Sequence, residues 1–416
     1  MPQANTMTLV GINPLSLLER LARKLVLKSL ASLKYGQLNI SEGNQVWTFG
    51  THKDQEPHAT IRIERACMWD RVAFGGTVGA AESYMDSDWS SDNLVDVVRI
   101  FCGNREMMSG FEGGLALLKW PFLQAYHALR RDTIAGSRKN ISAHYDLGND
   151  FFAAWLDPSM TYSSGIFPSS DASMLSASIL KIQTLCDKLH LKPTDHLLEI
   201  GSGWGALAFF AASNFGCKVT TVTISQNQYN FVRSEAKKLG LQDKIDVQFL
   251  DYRNITGSFD KIVSVEMIEA VGHHYFDTFF EKVSKLLKPD GLAVIQAITI
   301  RDQYYEEAIR NVDFIQRYIF PGSTIPSIAR MMESVKDATD MTLEGLEDFT
   351  PHYAKTLEKW REAFWKSEGS LKTMGCSESM MRMWDFYFAY CQGGFTEHVI
   401  GVVQMVLSKP KFKQKS

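Results

Sequence analysis

The sequence predicts a doubly wound α/β domain with a helical lid insertion, preceded by a smaller N-terminal α+β module. Three observations carry this. Five short apolar runs, HLLEI (196–200), KVTTVTI (218–224), DVQFL (246–250), KIVSV (261–265) and LAVIQAI (292–298), alternate with helical segments, as the strands of a parallel sheet do. A glycine-rich turn follows the first run. Ahead of them, residues 37–100 alternate apolar and polar side chains between glycine-bearing turns, the pattern of short antiparallel strands.

The elements follow in order. Residues 15–34 place Leu18, Leu21, Leu25 and Leu33 at helical spacing, with Arg20, Arg23, Lys24 and Lys28 among the polar positions, which predicts a basic amphipathic helix. QLNISEG, NQVWTFG, ATIRIERA and RVAFGG then read as strands. Residues 92–131 read helical up to a polar stretch at 135–140, which sets the expected boundary between an N-terminal module, 1–135, and a catalytic domain, 136–416. Residues 302–336 form an Arg-, Tyr- and Met-rich helical excursion broken at Phe320-Pro321-Gly322, and a final strand at 398–407 closes the domain.

Composition narrows the function classes. The chain has 416 residues, 45% of them apolar and 22% charged, with 44 Lys and Arg against 47 Asp and Glu. That balance gives no chain-wide basic footprint, so nucleic acid is not an expected partner. No stretch reaches the ~20 uninterrupted apolar residues of a spanning helix. Six scattered cysteines lack metal-ligand spacing, so neither a disulfide framework nor a metal site is expected. Glu19, Arg20, Arg23 and Lys24 interrupt what would be the core of a secretory signal, and a cytoplasmic chain is the expectation.

The turn reads Glu199-Ile200-Gly201-Ser202-Gly203-Trp204-Gly205. Its glycines allow a tight strand-to-helix turn and close approach of a ligand to the backbone. A dinucleotide fingerprint needs its third glycine one residue later and an acid about 20 residues on. The end of the second strand, Thr223 to Gln228, holds no acid, whereas Glu199 ends the first strand and Asp251 ends the third. That set suits S-adenosylmethionine better than a nicotinamide dinucleotide, with Asp251 reading the adenine amine.

With these residues in place, the sequence resembles the cyclopropane-fatty-acid synthase (mycolic acid cyclopropane synthase) family over roughly residues 140–408. The likeness rests on an ordered set of segments: 141–152, 156–164, the glycine turn, Thr223 to Gln228, Glu266-Met267-Ile268-Glu269-Ala270-Val271-Gly272, Tyr318 to Gly322, His352 to Leu357, and Tyr390 to Phe395. The resemblance implies a class I S-adenosylmethionine methyltransferase fold. It places the cofactor against Tyr162, Ser163, Glu199, Gly201, Ser202, Gly203, Trp204, Gly205, Thr223, Gln228, Asp251 and Tyr252. The implied reaction transfers a methylene from S-adenosylmethionine to the cis double bond of an unsaturated acyl chain in a membrane phospholipid.

An alkene is a poor nucleophile, so the protein must align it and keep the pocket dry. The resemblance implies a bound bicarbonate as general base, held by Glu269, Tyr353 and the backbone at Ile298, with aromatic rings such as Tyr145, Tyr162 and Phe167 facing the developing cation. Two positions depart from the family pattern. Ser164 stands where many members have Cys, and Gln296 where many have His; both keep hydrogen-bonding capacity, yet they leave ring closure and methyl branching as alternatives. Cys391 matches a family cysteine but reads as a pocket-lining residue, because alkene methylation needs no covalent enzyme intermediate.

The expected partners are the phospholipid, a membrane surface on which the protein sits peripherally, and a second copy of the chain as a homodimer. The helix at 15–34 and the N-terminal module are the expected membrane contact. A methyltransferase of soluble small molecules and a non-catalytic lipid-binding protein stand as alternatives.

Overall fold

The computed structural model describes residues 15–107 and 147–413. The chain divides into two compact units, Met1–Lys119 with Glu378–Phe386 and Trp120–Ser377 with Tyr387–Ser416. The boundary expected at 135–140, the later part of the 92–131 helical segment, and His144 and Tyr145 lie outside the described residues. Among the described residues no helix is long and apolar enough to cross a membrane.

In the first unit the helix Leu17–Leu30 begins at a reciprocal cap. Ser16 Oγ accepts from the Glu19 amide and the Glu19 carboxylate accepts from the Ser16 amide. It buries Ala22, Val26 and Leu30 and leaves Leu17, Leu18, Leu21 and Leu25 exposed. Strands β1 (Gln37–Glu42), β2 (Gln45–Gly50), β3 (His58–Ile63) and β4 (Trp89–Ser91) form a sheet in the order β2-β1-β3-β4. RVAFGG is not a strand. It belongs to the helix Met68–Met85, which kinks at Gly76 with φ of 58°, so the paired glycines mark a break between two helical segments. Residues 378–386, distant in sequence, return to this unit: Arg382 Nε donates to the Tyr84 carbonyl and the Tyr84 hydroxyl to Asp385.

The second unit is built on seven strands, β5 (His196–Ile200), β6 (Lys218–Thr223), β7 (Ile245–Phe249), β8 (Phe259–Val265), β9 (Leu287–Ile300), β10 (Thr342–Asp348) and β11 (Ile400–Ser408). Their order is β10-β11-β9-β8-β5-β6-β7; β5 to β9 pair in parallel, and β11 runs antiparallel between β9 and β10. This is the mixed α/β sheet of class I S-adenosylmethionine methyltransferases. β10 is absent from the sequence reading because TLEGLED is largely exposed and carries no apolar alternation. The order reverses between β5 and β8, and a crevice at the carboxyl ends of the strands is where open α/β sheets bind ligands. The core buries Leu198, Ile200, Val222, Ile262, Phe279, Phe280 and Ile295. The excursion consists of the helix Asp302–Ala308, a π-helical turn Ile315–Ile319 and the helix Ile328–Ala338.

Candidate active site

The carboxyl end of β5 runs into Gly201, Gly203 and Gly205, whose φ angles of 98°, 48° and 89° are left-handed. A Cβ at Gly201 would meet Met267 Cγ at 3.1 Å and one at Gly205 the Phe209 ring at 2.7 Å. At Gly203 it would meet nothing within 4 Å, so this backbone faces open space. The turn is fixed from behind by Gly201 and Ser202 amides donating to the Val222 carbonyl.

The expected cofactor residues gather at this end of the sheet. Glu199 is buried and accepts from Thr221 Oγ1 at 2.6 Å; burial pushes its carboxyl up to about 8. Thr223 Oγ1 donates to Gln228 Oε1 at 2.8 Å, and Ser225 caps the helix Gln226–Lys238. Asp251 grips Arg253 through both carboxylate oxygens, at 2.8 and 2.7 Å, and Arg253 lies over the Tyr252 ring at 5.5 Å. Trp204 Nε1 donates to Asn149 Oδ1 at 2.9 Å, and Ser163 Oγ accepts from Lys181 Nζ at 2.8 Å. Lys181 is fully buried. Desolvation brings its ammonium down to about 8, against the pull of Glu266, Glu199 and Asp157.

Two carboxyls follow β8 within one turn. Glu266 has φ of 49°, an uncommon conformation for a side chain of this size, and it is held by its surroundings. Its amide donates to the Gln296 carbonyl at 2.8 Å. Its carboxylate accepts from the Ser164 amide at 3.0 Å, Gln296 Nε2 at 2.8 Å and the Tyr353 hydroxyl at 2.6 Å. Burial raises the Glu266 carboxyl, while these three donors and the nearby Lys181 ammonium favour its ionised form.

Glu269 sits in the 3-10 turn Ile268–Ala270. Its Oε1 accepts from the Ile298 amide at 2.5 Å, and its buried Oε2 has no hydrogen-bond partner. Burial, then the neighbouring Glu266, pushes this carboxyl up to about 8. The excursion reaches the same turn, since the Thr324 amide donates to the Glu269 carbonyl at 2.8 Å.

The remaining expected residues divide. Tyr353 lies on the helix Thr350–Lys366, stacked on Phe395 at 4.3 Å, and is engaged with Glu266 rather than Glu269. Ser164 turns its hydroxyl onto the Gly165 carbonyl at 3.0 Å. Gln296 uses both ends of its amide, donating to Glu266 and accepting from Gln404 Nε2 at 3.0 Å. Burial and the nearby Asp313 hold the Cys391 thiol well above its ordinary range, which makes it a poor nucleophile.

Tyr162 stands in a cage of rings: Phe152 at 5.5 Å, Trp155 at 5.4 Å, Trp360 at 5.3 Å and Phe320 at 6.3 Å, with its hydroxyl donating to Tyr387 at 3.1 Å. Phe167 is not part of this cage. It stacks on His352 and has the Lys355 ammonium 4.8 Å from its ring centre, so it already faces a cation of the chain itself.

Sequence reasoning passed over Glu266, Lys181 and Gln404. Glu266 lies inside the segment 266–272, but its partners Ser164, Gln296 and Tyr353 come from three separate segments. Lys181 and Gln404 acquire their partners only through the fold.

A family model described as mycolic acid cyclopropane synthetase matches residues 133–405. The chain is 34% identical over 345 residues to the tuberculostearic acid methyltransferase UfaA1 of Mycobacterium tuberculosis, covering 81% of this chain and 80% of that one. It is 33% identical over 363 residues to the cyclopropane-fatty-acyl-phospholipid synthase of Escherichia coli, covering 84% and 88%. The solved structure of mycolic acid cyclopropane synthase CmaA1 complexed with SAH and CTAB matches with a TM-score of 0.61 at 31% identity, over 65% of this chain and 98% of that one.

Proposed function

Because the chain belongs to the mycolic acid cyclopropane synthetase family, an S-adenosylmethionine-dependent one-carbon transferase acting on lipid acyl chains, we propose that it adds a methylene across the cis double bond of a membrane phospholipid's acyl chain, giving a cyclopropane. The observation that carries this reading is Glu269: a buried carboxyl, pushed up to about 8 by burial and by Glu266, whose Oε2 lacks a partner beside the end of β8.

The cofactor fits the residues present. The open space at Gly203 admits a ligand against the backbone, and Glu199, Thr223, Gln228, Asp251 and Tyr252 would hold its polar groups, with Tyr162 and Ser163 closing the other side. S-adenosylmethionine, when bound, supplies an electrophilic methyl. A ring of the cage around Tyr162 whose face met the reacting carbon would stabilise positive charge there by roughly 0.5–2 kcal/mol. With Oε1 of Glu269 held by the Ile298 amide, a proton on its unpartnered Oε2 would suit it to orient a small anion such as bicarbonate. Bicarbonate, when bound there, supplies a base for ring closure.

A second reading has an observation of its own. Tyr353, expected to hold that anion, is engaged by Glu266, and of the two positions that depart from the family pattern Gln296 is also engaged by Glu266 and the Ser164 hydroxyl by backbone. With Glu266 itself as proton acceptor, loss of a proton from chain carbon instead of the new methyl leaves a branched product. Proton spectra of the product lipid separate the two: upfield ring-methylene signals support cyclopropanation, and a branch methyl on or beside a retained chain double bond supports branching.

The membrane is the proposed site of encounter. On the helix Leu17–Leu30, exposed Leu17, Leu21 and Leu25 form one row four residues apart beside a parallel row of Arg20, Lys24 and Lys28, an arrangement suited to an anionic headgroup layer.

A further inference from the structure

Four side chains form a directed hydrogen-bond chain from the exterior of the second unit to its buried centre. Lys188, the last residue of the helix Met174–Lys188, donates to Glu347 at 2.5 Å and to Gln404 Oε1 at 2.6 Å. Gln404 Nε2 donates to Gln296 Oε1 at 3.0 Å, and Gln296 Nε2 donates to Glu266 Oε1 at 2.8 Å. The sheet register builds this row: Glu347 on β10 lies opposite Gln404 on β11, and Gln404 opposite Gln296 on β9. Gln404 and Gln296 are both fully buried, whereas the Glu347 side chain is 61% exposed.

The polarity of the chain has one satisfied solution. An ammonium only donates, so Gln404 must turn its oxygen outward and its NH2 inward. Gln296 must then do the same, which presents an NH2 to Glu266. Flipping either amide would set like groups against each other in a buried place, and an unsatisfied buried polar group costs about 1–3 kcal/mol.

We propose that Lys188 is a positioning residue: acting through Gln404 and Gln296, it keeps Glu266 ionised and thereby keeps the proton on Glu269. The groups that bear on Glu266 are Tyr353 from the helix Thr350–Lys366, Tyr387 from the helix Glu378–Thr396, Lys181 from the helix that Lys188 ends, and Glu269 from its own turn. An ionised Glu266 disfavours a second charge on Glu269. Without Lys188 the amides lose their fixed sense, Gln296 can turn its oxygen to Glu266, and Glu266 takes up a proton. The repulsion holding the proton on Glu269 is then relieved.

The inference deepens the role given to Glu269 and rests on it, but its test needs no substrate. Carbon-13 carboxyl resonances of glutamate-labelled protein are titrated by NMR, with Glu266 and Glu269 assigned from Glu266→Gln and Glu269→Gln. Lys188→Met is expected to move the Glu269 midpoint down by about one pH unit or more, and Lys188→Arg to keep it at the parental value. Simple removal of a positive charge would move the midpoint up, so the sign separates an ordering role from a Coulombic one. Gln404→Met, which leaves Lys188 in place, is expected to give the same downward shift and decides the matter alone if Lys188→Met does not fold. An unchanged or raised midpoint overturns the proposal. Loss of lipid product in Glu269→Gln is a separate measurement, so failure of the reaction assignment is distinguishable from failure of this one.

Discussion

The hydroxyl of Tyr353 donates to Glu266 at 2.6 Å and leaves Oε2 of Glu269, three residues on, without a hydrogen-bond partner. The division gives the two acids different work. Glu266 accepts from three donors that favour its ionised form against the pull of burial; burial and the neighbouring Glu266 push the Glu269 carboxyl up to about 8. Environments that push two titratable groups apart are how a site separates proton acceptor from proton donor.

Removing the Tyr353 hydroxyl tests that division. In Tyr353→Phe the Glu266 carboxylate loses its shortest hydrogen bond, and lipid product formation is expected to fall about 10²–10⁴-fold, the range for a group in acid–base chemistry. Calorimetry with S-adenosylmethionine should give near-parental affinity. A loss of affinity as large as the loss of rate would place Tyr353 in cofactor binding instead.

The buried carboxyls also set a pH dependence of stability. Glu269 and Glu199 rise from about 4.5 to about 8 on folding, so the folded state holds protons that the unfolded chain has released. Their contribution is full below pH 4.5 and is lost as the pH rises towards 8. Lys181 acts in the opposite sense and higher: its ammonium falls from 10.5 to about 8, so its unfavourable burial is relieved as the pH rises from 8 to 10.5. Urea unfolding of the cofactor-free protein should show stability declining from pH 5 to 8, with a shallower decline in Glu269→Gln. A flat profile in the parent would contradict the assignment.

Gly203 gives a test confined to the cofactor loop. A methyl there meets no atom of the chain, so Gly203→Ala should fold, with a penalty of about 1–2 kcal/mol for a left-handed φ. The same methyl projects into the space proposed for the cofactor, and calorimetric affinity for S-adenosylmethionine should drop at least about tenfold, the equivalent of about 1.4 kcal/mol. Parental affinity in the folded variant would move the cofactor away from this loop.

The two rows on the helix Leu17–Leu30 predict membrane contact. Flotation with anionic phospholipid vesicles should recover the parent at low salt, less of it at high salt, and little of a variant carrying Arg20→Glu, Lys24→Glu and Lys28→Glu; each basic residue near such a surface contributes about 1 kcal/mol. Equal recovery of parent and variant would remove the helix from membrane binding.

Much of this architecture is legible in the sequence because buried parallel strands are continuous apolar runs: β5, β6, β7 and β8 fall within a residue or two of their expected places. β10 is not legible because an exposed edge strand needs no apolar pattern, and RVAFGG misleads because a glycine kink in a helix imitates a strand followed by a turn. At the site, Glu199, Thr223, Gln228 and Glu269 stand out by their offsets from strand ends. Glu266 does not, because what distinguishes it is the convergence of Ser164, Gln296 and Tyr353 from three separate segments. Sequence distance hides such partners.

The most direct test of the central claim is the transfer itself. Purified protein is incubated with S-adenosylmethionine carrying a labelled methyl and with vesicles of phospholipid bearing cis-monounsaturated acyl chains, and the acyl chains are then analysed by mass spectrometry. The label is expected in the acyl chain as one added carbon at the former double bond in the parent, and absent in Glu269→Gln and with saturated lipid. Incorporation into saturated chains or headgroups, or none into unsaturated chains, would contradict the proposed reaction.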